Sequence, residues 1–594
     1  LLKALTLAMS ILPEEIPVAF TTFMALGAWR LMKKGIIVKG TQTVETLGSA
    51  TVICTDKTGT ITENRMHLAH LYLPGAPSVY SEAQWPEIPD ALPLIEAAMW
   101  ASEPVPFDPM EIALHKAYQG SAVTDRRNAF KMVHEYPLSG KPPMMTHVFE
   151  NGTGERIIAA KGAPEAILNL VSLSVQEKEH TLQALEGLQK EGFRVLAVAT
   201  SGFSGSGFPE HQQQLPFQFR GLVAFYDPPK HNIDAVFKQF YQAGIAVKII
   251  TGDNALTTST IARQVGFKGA AASLEGEQLV NMTDQQLDQE VNRVNVFTRM
   301  FPEAKLRIIE SLKRNGHIVA MTGDGVNDGP ALKAAHIGIA MGKRGSETAR
   351  QSSSLILVDD DLGKMVDAVT MGRKIYSNLK KAIQYIISIH IPIILTVTLP
   401  LLLGWLYPNI FTPVHVIFLE LIMGPTCSIA YENEPAESHI MLQPPRTITR
   451  TFLSWKELSL SVWQGLIISA GALLVYQYAV QAGYGENIVR TMVFTNLVTA
   501  NIFLTLVNRS FYISVLNTFS YRNWLLRGMI LLTIVLLFVL IEVPALREFF
   551  KFERITWHQF LIPLAVSFVS VIWFEGYKWF NRRKLRLTPA ALRI

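Results

Sequence analysis

The sequence predicts an α/β catalytic region set between apolar helices of a membrane bundle. Three observations carry that prediction. First, an apolar or β-branched run ends in a polar, glycine-containing loop three times: Ala50-Thr51-Val52-Ile53 before Cys54–Thr62, Ala246–Ile250 before Thr251-Gly252-Asp253-Asn254, and Ile318–Met321 before Thr322–Pro330. Buried strands that feed such loops are the pattern of an open α/β sheet, whose ligands bind outside the carboxyl ends of the strands. Second, long apolar stretches lie near the start of the chain and throughout its last third. Third, 49% of the residues are hydrophobic and only 17% charged, with a mean hydropathy of +0.22, values that favour membrane spans.

The first element, residues 5–29, is apolar and long enough to cross a bilayer. Pro13-Glu14-Glu15-Ile16-Pro17 interrupts it. Two prolines free backbone carbonyls, and carboxylates inside a membrane helix are costly enough to mark a functional site. Unwound carbonyls and acidic oxygens together suit a hard cation at mid-membrane. Arg30, Lys33 and Lys34 mark the cytoplasmic end.

The soluble region begins near Gly35. In Cys54-Thr55-Asp56-Lys57-Thr58-Gly59-Thr60-Ile61-Thr62 a carboxylate stands where a strand ends, and the backbone N–H groups of the loop can face a phosphate. A carboxylate there can attack a phosphoryl group. Thr251-Gly252-Asp253-Asn254 again ends a strand and opens a helix, whose N-terminus stabilises an anion. Phe297–Lys305 supplies positive charge, with Lys305 the preferred contact for a phosphoryl oxygen and Arg299 a second cation. Asp324 and Asp328, four residues apart among glycines, suit Mg²⁺. The formal net charge of +5 over 594 residues is too small for a nucleic-acid footprint. Two cysteines far apart in sequence, Cys54 and Cys427, argue against a disulfide framework and fit a reducing compartment.

The nine-residue string around Asp56 resembles the phosphorylation signature of the P-type ATPases at every position. Further strings extend the resemblance over nearly the whole chain. Asp108-Pro109-Met110-Glu111-Ile112-Ala113-Leu114, Lys161-Gly162-Ala163-Pro164-Glu165 and Gly192-Phe193-Arg194-Val195-Leu196-Ala197 are similar to the family's nucleotide-binding motifs. Tyr136–Lys141 departs from calcium pumps, with Leu138 and Gly140 where those have a stacking Phe and an Arg; Tyr136 and Lys141 are the candidate replacements. The resemblance implies a haloacid-dehalogenase-like Rossmannoid phosphorylation domain (31–66 and 220–376), an inserted α+β nucleotide-binding domain (67–219), a first membrane helix (1–30), and a stalk with six membrane helices (377–594). It implies ATP and Mg²⁺ as cofactors and Asp56 as the nucleophile. Mg²⁺ would be held by Asp56, the Thr58 carbonyl and Asp324. Thr251 and Lys305 would hold phosphoryl oxygens, Asn327 and Asp328 would orient their loop, and Lys57, Gly252 and Asp253 complete the catalytic group. Glu111, Lys141, Lys161, Arg194, Thr251, Asp253 and Arg299 are the expected nucleotide contacts.

After Tyr376 the spans are expected at 382–404, 411–430, 457–481, 491–508, 524–543 and 558–580. Basic residues at Arg446, Arg450 and Lys456, at Arg509, Arg522 and Arg527, and after Lys578 place alternate ends in the cytoplasm. By resemblance to calcium pumps, His390 and Glu420 align with ion ligands, Ile393 replaces a Glu, and Met423-Gly424 replaces Thr-Asp. The remaining ion-site candidates are Glu14, Glu15, His390, Glu420 and Asn501. They suit either one divalent cation or proton exchange at carboxylates, and disfavour a two-calcium site. The expected partners are ATP, the transported cation and the lipid bilayer, with the bacterial plasma membrane as the location. The chain reads as a carboxyl-terminal portion that lacks the actuator domain and the first membrane helices; Thr153-Gly154-Glu155 reads as a hairpin turn instead of the actuator loop. A lipid flippase and a non-transporting phosphoryl-transfer relic are the alternatives, the first opposed by the membrane carboxylates and the second by the intact motifs.

Overall fold

The structure is a computed structural model that describes residues 13–76, 78–122, 124–139, 142–203, 205, 207–437, 439–446 and 452–584. The chain divides into two compact units, one of residues 52–241 and 246–363, the other of residues up to 51, 242–245 and 364 onward.

In the first unit, β-branched and aliphatic runs form a parallel sheet whose strands lie in the order Leu355–Leu357, Ile337–Met341, Val319–Gly323, Val52–Thr55, Ala246–Ile250, Val296–Thr298, Ser273–Glu275. The strand Val52–Thr55 is buried along its whole length, as expected for a sheet covered on both faces. Register does the rest. Cys54 pairs with Lys248 on one side and Met321 on the other, so the loops opening at Asp56, Thr251 and Asp324 leave the sheet at one level. The strand order reverses at Val52–Thr55, and the crevice at that switch point is where ligands bind.

A second, antiparallel sheet of seven strands is inserted after Met66, in the order Tyr80–Ser81, His67–Tyr72, Phe217–Tyr226, Arg194–Ser201, Arg156–Gly162, Met144–Asn151, Phe130–Ser139. Its two faces alternate residue by residue. Phe149, Ala159, Val223 and Phe225 pack with Trp100 and Leu114 from helices Ala91–Trp100 and Pro109–Ser121. Val148, Ile158, Leu222 and Ala224 pack with Ile167 and Leu188 from helices Pro164–Leu168 and Val175–Lys190. The boundary expected at 219/220 falls inside strand Phe217–Tyr226, which pairs with His67–Tyr72 and so belongs to this sheet. An apolar alternation identifies a strand but not the sheet it joins. Thr153-Gly154-Glu155 does form the hairpin turn, with Asn151 Oδ1 accepting from the Thr153 and Glu155 amides.

The second unit is helical. Among the described residues, six helices are long and apolar enough to cross a membrane: 364–402, 413–430, 455–481, 486–507, 524–542 and 557–583. They match the six expected spans to within a few residues, except that the first begins 18 residues earlier in a single unbroken helix. Helix Glu15–Lys33 precedes them; residues 1–12 of the expected first span lie outside the described residues. Helix Lys364–Leu402 packs against Glu15–Lys33, against the short helix Thr41–Leu47 and against Trp455–Gln481. Gly48 and Gly372 meet backbone to backbone: a Cβ on Gly372 would lie 2.5 Å from the Gly48 nitrogen. No side chain can yield at that contact. Gly372→Ala is therefore expected to destabilise the helical unit by about 1–3 kcal/mol despite the better helix propensity of alanine. Thermal unfolding in detergent, with the exposed Gly528→Ala as control, reads the difference.

Candidate functional site

The crevice is built around one lysine. Lys305, on helix Pro302–Arg314, places its ammonium 2.7 Å from Asp56 Oδ2 and 2.7 Å from Asp328 Oδ1. Asp56 follows the central strand in extended conformation, and its Oδ1 accepts the Lys57 amide at 2.6 Å. Asp328 Oδ2 accepts the Gly325 amide at 3.1 Å, which closes the Thr322–Pro330 loop on itself. Gly59 has φ of +73°, and a Cβ there would lie 2.7 Å from Asp324 Oδ2, so a side chain at 59 is excluded both by backbone and by space. Asp324 thus faces the loop that carries Asp56.

Three carboxylates share the crevice with the Lys305 ammonium. Burial raises the pKa of Asp56 and the Lys305 charge opposes the rise. Burial, then the charges of Asp56 and Asp328, push Asp324 up to about 6. Burial would lower Lys305, but Asp56 and Asp328 hold it above its ordinary value. The crevice therefore has a surplus of negative charge, and among the described residues Asp324 makes no ion pair.

The remaining expected catalytic residues surround this core. Lys57 turns away from Asp56, and its Nζ pairs with Asp253 Oδ2 at 2.5 Å. Thr58 Oγ1 donates to the same oxygen at 3.5 Å. Thr251 is buried, and its Oγ1 accepts the Asp253 amide at 3.2 Å. Gly252 is exposed beside it, and Asn327 is exposed on its own loop. Burial opposes ionisation of Asp253, but Lys57 and Arg194 together hold it below the usual carboxylate range. Arg194 Nη1 reaches Asp253 Oδ1 at 3.8 Å, which ties the inserted sheet to the crevice loop. Arg299 adopts φ of +52° and stands 4.0 Å from Glu165.

On the inserted sheet, Lys161 and Glu111 form a buried ion pair at 2.5 Å, and Lys161 also donates to Ser102 Oγ at 2.7 Å. Burial lowers the Lys161 pKa and Glu111 opposes the fall. Lys141 lies outside the described residues. Tyr136 is packed into the core, and its hydroxyl donates to the Pro209 carbonyl, so its ring is not free to stack on a ligand. Leu138 is exposed.

In the helical unit, Glu15 Oε2 lies 3.4 Å from His390 Nε2, while His390 Nδ1 donates to the Ile386 carbonyl at 2.9 Å. Glu14 is exposed at the helix start. Glu420 is half-buried on helix Pro413–Pro425 and feels the charges of Glu15 and Glu14. Asn501 is buried, and its Oδ1 accepts from the hydroxyls of Tyr385 and Thr505.

Two supporting groups had no role assigned from sequence. Lys230 Nζ donates to the Gly59 carbonyl at 2.8 Å and to the Asp360 carbonyl at 2.6 Å, and so clamps the Asp56 loop. Asp227 accepts from Thr62 Oγ1 at 2.5 Å and from the Arg65 amide at 3.1 Å, and so anchors its far end. The available signal was two charges flanking Pro228-Pro229 directly after a strand.

Residues 50–336 match the family described as haloacid dehalogenase-like hydrolase, and residues 408–580 match the family described as cation transporting ATPase, C-terminus. A calcium-transporting ATPase of Bacillus subtilis is 30% identical over 97% of the chain and 69% of its own length. Calcium-transporting ATPase 1 of Lactococcus lactis is 30% identical over 97% of the chain and 67% of its own length. Calcium-transporting ATPase 1 of Saccharomyces cerevisiae is 28% identical over 98% of the chain and 65% of its own length.

Removing the Lys305 charge leaves the buried carboxylates uncompensated. Lys305→Met is expected to destabilise the metal-free catalytic unit by about 3–5 kcal/mol at neutral pH. Denaturant unfolding at pH 7 in the presence of a chelator measures it. The loss shrinks as the pH falls through about 6, because Asp324 takes up its proton there.

Proposed function

Because the chain belongs to the P-type cation-transporting ATPases, we propose that its ATP-driven cation transport runs through an aspartyl-phosphate on Asp56. The observation that carries this reading is the position of Asp56 at the end of the central strand, between the Lys57 amide and the Lys305 ammonium. In the proposed step an Asp56 carboxylate oxygen attacks the γ-phosphorus of ATP in line. The P–O bond to the β-phosphate breaks, and ADP leaves with the electron pair. Lys305 and the Thr251 hydroxyl offset charge on the transferring phosphoryl oxygens. Asp328 fixes Lys305 and its own loop, and Asp253, held by Lys57, orders the loop after Thr251.

The donor set fits Mg²⁺. Asp56 and Asp324 offer carboxylate oxygens, the Thr58 carbonyl is the third oxygen of the set, and the crevice carries surplus negative charge. Mg²⁺ when bound supplies neutralisation of phosphate charge. ATP is read as lying against Lys161, Glu111 and Arg194, with Arg299 at the edge of that surface and Lys141 a further contact by resemblance alone. An apolar slot with a few charged contacts suits a planar base and phosphates.

The protein is an integral, multi-pass membrane protein by its six apolar helices and its relatives. The bacterial plasma membrane, with the catalytic unit in the cytoplasm, is the matching location. For the transported cation the proposed ligands are Glu15 and His390, with Glu14, Glu420 and Asn501 completing the group. The relatives are named for calcium, whereas an imidazole at His390 and the glycine at Gly424 point to a site of different composition.

Phosphoenzyme formation from γ-labelled ATP in membranes tests the proposal. The expected result is acid-stable, hydroxylamine-labile label that is abolished in Asp56→Asn; undiminished label in that variant overturns it. The Mg²⁺ concentration needed for half-maximal labelling is expected to be flat above pH 7 and to rise as pH falls below about 6, since protons then compete with the metal for Asp324. Across a panel of cations, Glu15→Gln and His390→Gln are each expected to shift the activating cation concentration by about tenfold or more, at unchanged nucleotide affinity, where about 1.4 kcal/mol per ligand corresponds to a factor of ten.

A further inference from the structure

The inserted antiparallel sheet carries a cluster that the phosphoryl chemistry does not use. Glu103, Glu135 and His147 each bring one ligand atom to a common point, all within 4.8 Å of one another. Glu135 and His147 are direct cross-strand partners in the ladder between Phe130–Ser139 and Met144–Asn151, so their side chains stand on one face. Glu103 arrives from the loop that follows helix Ala91–Trp100.

The histidine makes this more than an acidic cluster. His147 is fully buried, with 0% of its side chain exposed. Its Nδ1 lies 3.0 Å from the Ser102 carbonyl oxygen, which can only accept, so the proton sits on Nδ1. That leaves Nε2 with a lone pair. Nε2 is buried, has no hydrogen-bond partner among the described residues, and stands 3.9 Å from Glu103 Oε1. A ring nitrogen whose other N–H is fixed by a backbone carbonyl is the arrangement that orients metal-binding histidines. A neutral imidazole and two carboxylates balance the charge of one divalent cation. Glu135 is exposed, which leaves a coordination position open to solvent.

We propose that Glu103, Glu135 and His147 form a binding site for a divalent transition-metal ion on the inserted domain. The single nitrogen and two oxygens favour Zn²⁺, Mn²⁺, Fe²⁺ or Co²⁺ over Mg²⁺ and Ca²⁺, which take oxygen ligands. The site adjoins the Lys161–Glu111 pair through one residue: Ser102 accepts from His147 with its carbonyl and from Lys161 with its hydroxyl. It stands apart from the Asp56 crevice in chemistry and in residues.

The test uses the full chain in detergent, with Zn²⁺ alone as the probe and a chromophoric chelator as competitor. The unaltered chain is compared with Glu135→Gln, Glu103→Gln, His147→Gln and Glu135→His. Glu135 is exposed and in a β-ladder, so Glu135→Gln keeps the fold even where the buried His147→Gln does not. The expected result is that one Zn²⁺ per chain binds at least about tenfold more weakly in each glutamine variant, since loss of an outer-shell partner alone costs about 10–100-fold. Glu135→His, which restores a ligand, is expected to retain the ion. Replacement of Zn²⁺ by Co²⁺ is expected to give a visible absorption band that Glu135→Gln removes. The same Zn²⁺ stoichiometry and affinity in Glu135→Gln and Glu103→Gln as in the unaltered chain overturns the proposal. Neither readout depends on phosphorylation of Asp56.

Discussion

A single ammonium group holds the crevice together. Lys305 bridges Asp56 and Asp328, and both oxygens lie at charge-assisted hydrogen-bond distance. Without it, several carboxylates buried at the carboxyl end of one sheet would repel one another and draw protons. With it, the rise that burial imposes on the Asp56 pKa is opposed, while burial and the neighbouring carboxylates push Asp324 up to about 6. The same feature that keeps the loops in place also leaves a surplus of negative charge, which a divalent cation can offset. Everything else in the crevice serves to keep this arrangement in register: parallel pairing brings three loops to one level, Lys230 clamps the first, and the Lys57–Asp253 pair clamps the second.

The inserted domain follows a different logic. Its antiparallel sheet has a hydrophobic core on each face, so the polar groups that do lie on it are conspicuous. Lys161, Glu111 and His147 are buried on the face covered by helices Ala91–Trp100 and Pro109–Ser121, and Ser102 joins them through opposite ends of one residue. Buried charges of this kind persist only when paired. The pairing of Lys161 with Glu111 meets that condition, whereas His147 Nε2 has no hydrogen-bond partner among the described residues.

The crevice residues were legible in the sequence because apolar strands announce their own ends. Asp56, Thr251 and Asp324 each stand one residue past a strand, and the fold brings them to one crevice. The six apolar helices were legible for a related reason: a bilayer sets a minimum length. What the sequence did not show depended on pairing between distant segments. The sheet that strand Phe217–Tyr226 joins is one such case, since only its pairing with His67–Tyr72 decides that. The turning of Lys57 toward Asp253, the clamp made by Lys230 and the burial of Tyr136 all arise from contacts across more than sixty residues of chain. The cluster at Glu103, Glu135 and His147 is likewise spread over three segments with no motif spacing.

Helix Lys364–Leu402 runs for 39 residues without a break, a rod of about 58 Å at 1.5 Å per residue. That is about twice the thickness of a hydrocarbon core, so one half of the rod stands clear of the apolar layer. Its prolines, Pro392 and Pro400, are confined to the apolar half, and the polar half, with Arg373, Lys374, Lys380 and Lys381, has none. Stiffness is thus unequal along the rod: compliance is concentrated where His390 sits, and the polar half is continuous helix packed on Glu15–Lys33 and Thr41–Leu47. A rigid lever of this length carries its tip about 1 Å for every degree of tilt. A rotation too small to disturb the packing at one end is therefore a displacement of several ångströms at the other, which makes the helix a mechanical amplifier.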